Sequence, residues 1–248
     1  MKTRNPRNNR GFARFYSVKA SAFALALSLI AFTPQSASAI STCTSTTPVV
    51  ECITSKVGSL QVVVNKTRPL DPKSYYPSDL VKVPQFNPYG RILRKQVSEA
   101  VVAMGKQMKL DKQGTLIVQS GFRSLSSQTA IYKARVKTLG LVKGENLAAR
   151  PGYSEHQTGL AVDFSAAGVT SLKISFAKTK AGVWLAANAY KYGFVLRYPN
   201  GKTAITGYQF EPWHFRFVGV TVARSIHDQQ VSTLEEYYGL PAAPGYLN

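Results

Sequence analysis

The stretch Ser154-Glu-His-Gln-Thr-Gly-Leu-Ala-Val-Asp163 decides how the chain around it has to fold. His156 and Asp163 are seven positions apart, with Gly159 between them. In one continuous helix their side chains would stand about 10 Å apart along the axis, whereas two ligands of one metal ion must each lie about 2 Å from it. A shared metal therefore requires a turn, and the glycine at position 159 predicts one.

Two further segments are placed to complete such a site. Residues 160–164, with the sequence LAVDF, are typical of a short buried strand that would carry Asp163 back towards His156. Downstream lies Glu211-Pro-Trp-His214, in which a regular strand would put the first and last residues on opposite faces. A bend at Pro212 would let both side chains point into one site.

The combined set has a definite chemistry. His156, Asp163 and His214 offer two imidazoles and one carboxylate, which suits zinc with a fourth position open for water. Glu211 would then lie beside the metal, where it can take a proton from water and pass it to a leaving amine. On spacing alone, capping, core packing or a surface ion pair remain open for these residues.

An arginine is predicted close to the same site. Residues 116–119 form a short apolar run typical of a strand, and the run ends in Ser120-Gly-Phe-Arg-Ser124. Arg123 would offer a planar donor group to a substrate carboxylate or to a developing oxyanion. The third histidine, His227, is expected to be an ordinary surface residue, and Trp213 is expected to serve packing.

The other elements follow from apolar spacing and from glycine and proline. Segment 40–64 allows a first strand at 61–64, and the proline-rich segment 65–88 is expected to be irregular chain on the surface. The remaining predicted elements are helices at 91–110, at 126–139 with Ser126 or Ser127 near the N-cap, and at 181–192, a strand at 194–197, a strand through Phe215 and Phe217, and a short helix after Val218.

The N-terminus predicts export. The first 39 residues carry six basic and no acidic side chains, an apolar run from Ala20 to Phe32, and then Ala37-Ser-Ala39. These features predict a secretory signal peptide at 1–39 that is cut after Ala39. An uncleaved membrane anchor is the alternative, but the apolar run is shorter than the roughly 20 residues that span a bilayer.

Composition and charge fit an exported globular protein. The chain has 248 residues and is 44% hydrophobic, so disorder is excluded. Cleavage would leave 209 residues and lower the formal charge from +19 by six to +13. A protein outside the cytoplasm is expected to meet an anionic cell wall, with its polymers, or a membrane surface rather than nucleic acid, although the excess of basic residues could also serve solubility alone. Contact with the membrane is expected only transiently, through the signal peptide.

The two cysteines also fit an oxidising compartment. Cys43 and Cys52 are predicted to form a small-loop disulfide within an N-terminal segment 40–64. No second cysteine pair or obvious base lies near them in sequence, which argues against a metal site or a nucleophile. The catalytic domain is then expected to span 65–248.

Three motifs occur together and in order: residues 120–124 with Gln128, residues 154–163, and residues 211–214. Their order and spacing resemble the VanY-type D-alanyl-D-alanine carboxypeptidases, within the LAS group of zinc peptidases. The resemblance runs from about Asn65 to Gly219 and shows no departure at the metal or base positions. Phe122 stands where relatives often have tyrosine.

The resemblance implies an α+β fold, with a central, mainly antiparallel sheet and flanking helices in a single zinc-peptidase domain. It implies Zn²⁺ held by His156, Asp163 and His214. Glu211 and Arg123 are implied as catalytic residues.

Gln128 and Ser154 match positions that would hold the substrate's terminal carboxylate. The implied reaction is hydrolysis of the terminal D-Ala-D-Ala bond of a peptidoglycan stem peptide, outside the cytoplasm. L,D-carboxypeptidase or endopeptidase activity and an inactive cell-wall-binding module are the alternatives, and a zinc nuclease or amidase lacks support from the other motifs.

Overall fold

The computed structural model describes residues 49–169 and 172–247. The predicted signal peptide and Cys43 lie outside these ranges, so the signal peptide and the Cys43–Cys52 disulfide stay predictions. Within the described ranges, no helix is both long enough and apolar enough to cross a membrane.

Helices and strands alternate irregularly along the chain. In order they are α1 (Val49–Ser55), β1 (Leu80–Lys82), β2 (Ile92–Arg94), α2 (Lys95–Leu110), β3 (Leu116–Ser120), α3 (Leu125–Leu139), α4 (Leu141–Glu145), β4 (Ala161–Ala166), α5 (Lys180–Asn188), β5 (Phe194–Leu196), α6 (Thr203–Thr206), β6 (His214–Phe217), α7 (Val220–Asp228) and α8 (Leu234–Tyr238).

A four-stranded antiparallel sheet forms the centre of the domain, in the order β3-β4-β6-β5. Strand β4 is buried along its whole length between β3 and β6. The register places Asp163 of β4 directly opposite His214 of β6 on one side and opposite Ser120 of β3 on the other. The sheet therefore brings together side chains from three motifs that are far apart in sequence.

Apolar side chains on α2 and on the sheet form the main core. Helix α2 buries Val97, Val101, Met104 and Met108, which recur at the three- and four-residue spacing of a helix face. The sheet contributes a cluster of aromatic rings, with Phe164 of β4 packed edge-on against Phe194 of β5. This core holds β4 and β6 rigidly behind the site.

Helix α3 differs from α2, because only one of its residues, Gln128, is buried. Its N-cap is Ser124, whose Oγ accepts a hydrogen bond from the backbone N–H of Ser127. Gly140 follows the helix with φ of 77° and leads directly into α4, which packs against α3. The two helices form a hairpin beside the domain core.

The predicted α+β fold with a central antiparallel sheet and flanking helices is confirmed. The helix predicted at 91–110 begins only at Lys95, because residues 92–94 pair with 80–82 as a two-stranded sheet. The helix predicted at 181–192 ends at Asn188, and a tighter helical turn continues to Tyr192. The spacing of apolar residues did not predict either change of backbone geometry.

Three other predictions about local structure were wrong. Residues 61–64 are not a strand, although Val62, Val63 and Val64 are buried. The segment before them contains helix α1, and the proline-rich segment contains strand β1 and the buried Leu70, so it is not only surface chain. The α3 cap is Ser124 and not Ser126 or Ser127, because only a residue outside the helix can cap it.

Candidate metal centre

The turn predicted at Gly159 is present. Residues Glu155–Thr158 form one 3₁₀-helical turn that ends at Gly159 in the left-handed conformation, with φ of 69°. A Cβ at this position would lie 2.9 Å from Cγ of Arg94, so both backbone and packing require glycine. The turn brings His156 back to β4, with 3.3 Å between its Nε2 and Oδ2 of Asp163.

His214 joins the same group from the neighbouring strand. Its Nδ1 lies 3.1 Å from Oδ1 of Asp163. One ligand atom from each of His156, Asp163 and His214 can be chosen so that all three lie within 4.8 Å of one another, and all three residues are buried. Two imidazoles and a carboxylate at this spacing fit a zinc ion.

The outer ring nitrogen of each histidine has its own partner. Nδ1 of His156 lies 2.7 Å from the carbonyl oxygen of Gly121, to which it must donate a proton. Nε2 of His214 lies 3.3 Å from Oε2 of Glu155. When both imidazoles are neutral and donate to these partners, Nε2 of His156 and Nδ1 of His214 are the lone-pair donors that face each other across Asp163, as a metal site requires.

Charge and burial have opposite effects on the pKa of Asp163. Burial by itself would raise the pKa of this carboxyl, but the two histidines outweigh that effect and hold the pKa well below its usual value. Burial, reinforced by the Arg123 charge, lowers the pKa of His156. An ionised aspartate beside a neutral histidine is the protonation state in which both can bind a metal.

Glu211 lies at the edge of this group. Its Oε2 is 3.8 Å from Nδ1 of His214, and the backbone N–H of His214 donates to the Glu211 carbonyl at 3.1 Å. The turn at Pro212 thus places both side chains on one side, as predicted. The Glu211 side chain is 14% exposed, and burial raises its pKa to about 7.

Arg123 reaches the site but is already engaged. Its Nη2 donates to Oδ2 of Asp163 and to Oγ of Ser120, both at 2.9 Å. Its side chain is 24% exposed and lines the cleft above the metal group. The guanidinium therefore holds the Asp163 carboxylate and faces the cleft at the same time.

The site opens into a cleft of about 510 Å³. Ser154 and Gln128 line it, and both are buried. Nε2 of Gln128 donates to the carbonyl of Ala149 at 2.8 Å, while its buried Oε1 has no hydrogen-bond partner among the described residues. Because Ala149 presents an acceptor, the amide orientation is fixed, and the group left for a ligand is the carbonyl oxygen.

Behind His214 lies an ionic network that the sequence reasoning missed. Oε1 of Glu155 accepts from Arg216 at 2.7 Å and from Arg197 at 2.9 Å. Arg197 also makes two hydrogen bonds to Glu235 of α8, at 2.7 and 2.9 Å. All four side chains are completely buried. The network fixes Glu155, and Glu155 in turn orients the His214 ring.

A signal for this network was present in the sequence. Arg216 stands between Phe215 and Phe217, and Arg197 follows the apolar run Phe194-Val-Leu196. An arginine within a short apolar strand needs a carboxylate partner if it is buried. The sequence alone does not show that both arginines face inwards.

Helix α3 supplies one wall of the cleft, and this wall was also missed. Ile131 and Arg135 line the cleft together with Gln128, at the spacing of one helix face. Arg135 makes no ion pair within residues 49–169 and 172–247. An unpaired guanidinium is therefore available at the mouth of the site.

These features define a class of protein. A buried His–Asp–His set with a neighbouring glutamate, at the base of an open cleft in an antiparallel α+β domain, has the organisation of a zinc peptidase. Comparisons with known proteins identify the family. A family model described as VanY, D-alanyl-D-alanine carboxypeptidase, matches residues 90–220.

The sequence and structure relatives agree. The Bacillus subtilis protein YodJ is 41% identical over 188 residues, which are 73% of this chain and 67% of YodJ. Among solved structures, the LD-carboxypeptidase LdcB has a TM-score of 0.67 and 39% sequence identity, and the match covers 73% of this chain and 86% of the LdcB chain. A second similar structure is that of the D,D-pentapeptidase VanY from a VanB-type vancomycin resistance cassette, solved with Zn(II). Its sequence is 33% identical, the match covers 71% of this chain and 97% of the VanY chain, and the TM-score is 0.59. This chain belongs to the VanY family and is a zinc metallocarboxypeptidase.

Proposed function

We propose that this chain hydrolyses the terminal D-Ala-D-Ala bond of peptidoglycan stem peptides and releases D-alanine. The observation that carries the proposal is the position of Glu211, a buried carboxyl beside the metal group that faces the cleft. A structural carboxylate would be paired closely with a cation, whereas the only ion-pair partner of Glu211 among the described residues is His214, at 3.8 Å. The VanY family membership supports the substrate class.

Each residue of the site has a part in this reaction. We assign His156, Asp163 and His214 as the zinc ligands. A zinc ion held there would polarise the scissile carbonyl and lower the pKa of water at the site. Glu211 takes the proton from the attacking water and delivers it to the amine of the departing D-alanine.

The remaining groups hold the substrate. Arg123 offers its exposed edge to the scissile carbonyl, where negative charge develops. The Ser154 hydroxyl can donate to the terminal carboxylate, and Arg135 can pair with a carboxylate at the mouth of the cleft. Gln128 presents an acceptor and would be repelled by a carboxylate, so we assign it to an N–H group of the substrate.

A second candidate is L,D-carboxypeptidase activity on a tetrapeptide stem. It is favoured by the LdcB structure, which has a TM-score of 0.67 against this chain, compared with 0.59 for VanY. Both reactions remove a terminal D-alanine and differ in the residue before it, which is D-alanine in the pentapeptide and a different residue of L configuration in the tetrapeptide. The shared metal chemistry is compatible with either.

Incubating the zinc-loaded protein with pentapeptide and tetrapeptide stems, followed by mass spectrometry, tests the proposal. Loss of one alanine from the pentapeptide is expected. Loss from the tetrapeptide alone would establish the second candidate, a cut within the stem would reveal an endopeptidase, and no cleavage of any stem would favour an inactive wall-binding module.

We also infer that the protein acts outside the cytoplasm, where its proposed substrate lies. The basic, apolar N-terminus up to Ala39 supports export. Sequencing the N-terminus of protein recovered from the culture medium and the cell wall tests this inference, with Ile40 expected as the first residue. Non-reducing mass spectrometry of the same sample tests the Cys43–Cys52 disulfide.

A further inference from the structure

The hairpin of α3 and α4 carries a surface that the peptidase site does not use. Its basic side chains are Lys133, Lys137 and Lys143, all exposed. Between the second and third of these lie Leu141 and Val142, whose exposed fractions are 54% and 75%. We call these five residues the basic hairpin surface.

The charge of this surface is not compensated locally. Within the described parts of the chain, none of its three lysines makes an ion pair. The one acidic residue of the hairpin, Glu145, is engaged by Arg150 at 2.6 Å and by the Tyr132 hydroxyl at 2.8 Å. The surface therefore combines net positive charge with exposed aliphatic side chains.

The α3 part of this surface points away from the active-site cleft. Lys133 and Lys137 are four positions apart and share one face of α3. Ile131 and Arg135, which line the cleft, are each two positions from Lys133 and therefore lie on the opposite face, because residues two apart are separated by about 200° around a helix. A partner bound at the lysine face of α3 would leave the cleft wall free.

We propose that the basic hairpin surface docks on an anionic lipid membrane, with Leu141 and Val142 entering the headgroup region and the three lysines contacting acidic headgroups. Basic side chains flanking exposed aliphatic ones are the composition of interfacial membrane contacts. A soluble anionic polymer would attract the lysines but would not favour the exposed leucine and valine. A second copy of the chain would bring the same positive charges to the interface.

Sedimentation with phosphatidylcholine vesicles, with and without phosphatidylglycerol, tests the proposal on the full chain. Replacing Lys133, Lys137 and Lys143 together by glutamine should weaken binding to the anionic vesicles about 100-fold, since each basic group near such a surface contributes about 1 kcal/mol. The matched control replaces the exposed Lys106, Lys109 and Lys112, at the end of α2, by glutamine. This control removes the same charge elsewhere and should bind like wild type.

Equal weakening in both triple variants would show that net charge alone is responsible and would overturn the proposal.

A fluorescent probe on the hairpin itself separates its contribution to vesicle binding from that of the N-terminus. In Val142→Trp, brominated lipids should quench the added fluorescence, and absence of quenching would contradict insertion of the hairpin. Hydrolysis of a soluble stem peptide should be unchanged in the triple lysine variant, which confirms that it is folded.

The two exposed aliphatic residues distinguish binding to a membrane from binding to a wall polymer. Leu141→Ser with Val142→Ser should weaken vesicle binding while leaving binding to soluble poly(glycerol phosphate) unchanged. If this double variant binds both as wild type does, the surface recognises polyanions by charge alone, and the membrane proposal is wrong.

Discussion

The two sides of His214 are built differently. On the cleft side, Nδ1 faces Asp163 and Glu211, in a region that opens into solvent. On the rear side, Nε2 lies close to Glu155, whose side chain is fully buried together with two arginines. The proposed reacting groups are thus separate side chains at an open cleft, while the groups behind His214 form a closed ionic network.

The difference predicts two separable kinds of damage. A change on the cleft side should abolish turnover while leaving the fold and the metal in place. A change on the rear side should act first on stability and metal affinity, and on turnover only as a consequence. Variants of Glu211, Glu155 and Glu235 test this separation, because each replaces a carboxylate by an amide of the same shape.

Glu211→Gln should have the largest effect on activity. It removes the proton carrier and no proposed ligand, so kcat should fall by about 10²- to 10⁴-fold. Zinc content, measured by elemental analysis, and the melting temperature should stay near wild type. His214→Ala is the control and should lose the metal itself. Substantial turnover in Glu211→Gln would remove this residue from the mechanism.

Glu155→Gln should show the opposite pattern. It leaves Arg197 and Arg216 buried with less negative charge around them, which should lower the free energy of unfolding by about 3–5 kcal/mol. Zinc affinity should fall by about 10- to 100-fold, because the His214 ring loses its charged partner. Denaturant unfolding and competition with a zinc chelator measure the two effects.

The matched control for Glu155 is Glu51→Gln. Glu51 also makes paired hydrogen bonds to an arginine, Arg68, but its side chain is 46% exposed. An exposed pair contributes about 1 kcal/mol or less. A loss of stability in Glu51→Gln as large as that in Glu155→Gln would show that burial is not what makes the rear network matter.

These residues also show what the sequence could predict. His156, Asp163, Glu211 and His214 were candidates because a glycine and a proline mark the turns that bring them together, and because two imidazoles and a carboxylate suit zinc; the family resemblance then favoured the zinc site over capping, core packing or an ion pair. Short apolar runs predicted the single strands. In both cases the information is local, within about ten residues, whereas the antiparallel sheet was implied only by the family resemblance.

The rear network depends on information that is not local. Glu155 is adjacent to His156 in sequence, yet its partners Arg197 and Arg216 come from the end of β5 and from β6, and Glu235, which pairs with Arg197, comes from α8. Only the pairing register of β5 with β6 places both arginines under the 155–158 turn. A register shift of one residue turns every side chain of a strand to the opposite face of the sheet, and the sequence does not specify the register here.

Glu235→Gln separates the two functions of the rear network. Glu235 pairs with Arg197 but makes no hydrogen bond or ion pair with His214. Because its loss leaves the buried Arg197 with less negative charge, the free energy of unfolding should fall by about 3 kcal/mol. Zinc affinity should change much less than in Glu155→Gln. If both variants lower zinc affinity equally, the network affects metal binding through the overall stability of the fold and not through the orientation of the His214 ring.

The smallest effect is expected at the cleft wall. The Gln128 amide is anchored to Ala149 and leaves only an acceptor for the substrate, so Gln128→Met, which keeps the volume, should raise KM by about 2- to 10-fold, the equivalent of one hydrogen bond. A stem peptide N-methylated at the terminal amide distinguishes the two assignments of this residue. If Gln128 accepts from that N–H, methylation should raise the KM of the wild-type protein and leave the KM of Gln128→Met unchanged. If Gln128 holds the terminal carboxylate, methylation should raise the KM of both proteins equally. The cleft wall would then resemble the rear of His214 in one respect, because an anchored side chain offers a single fixed atom to its partner.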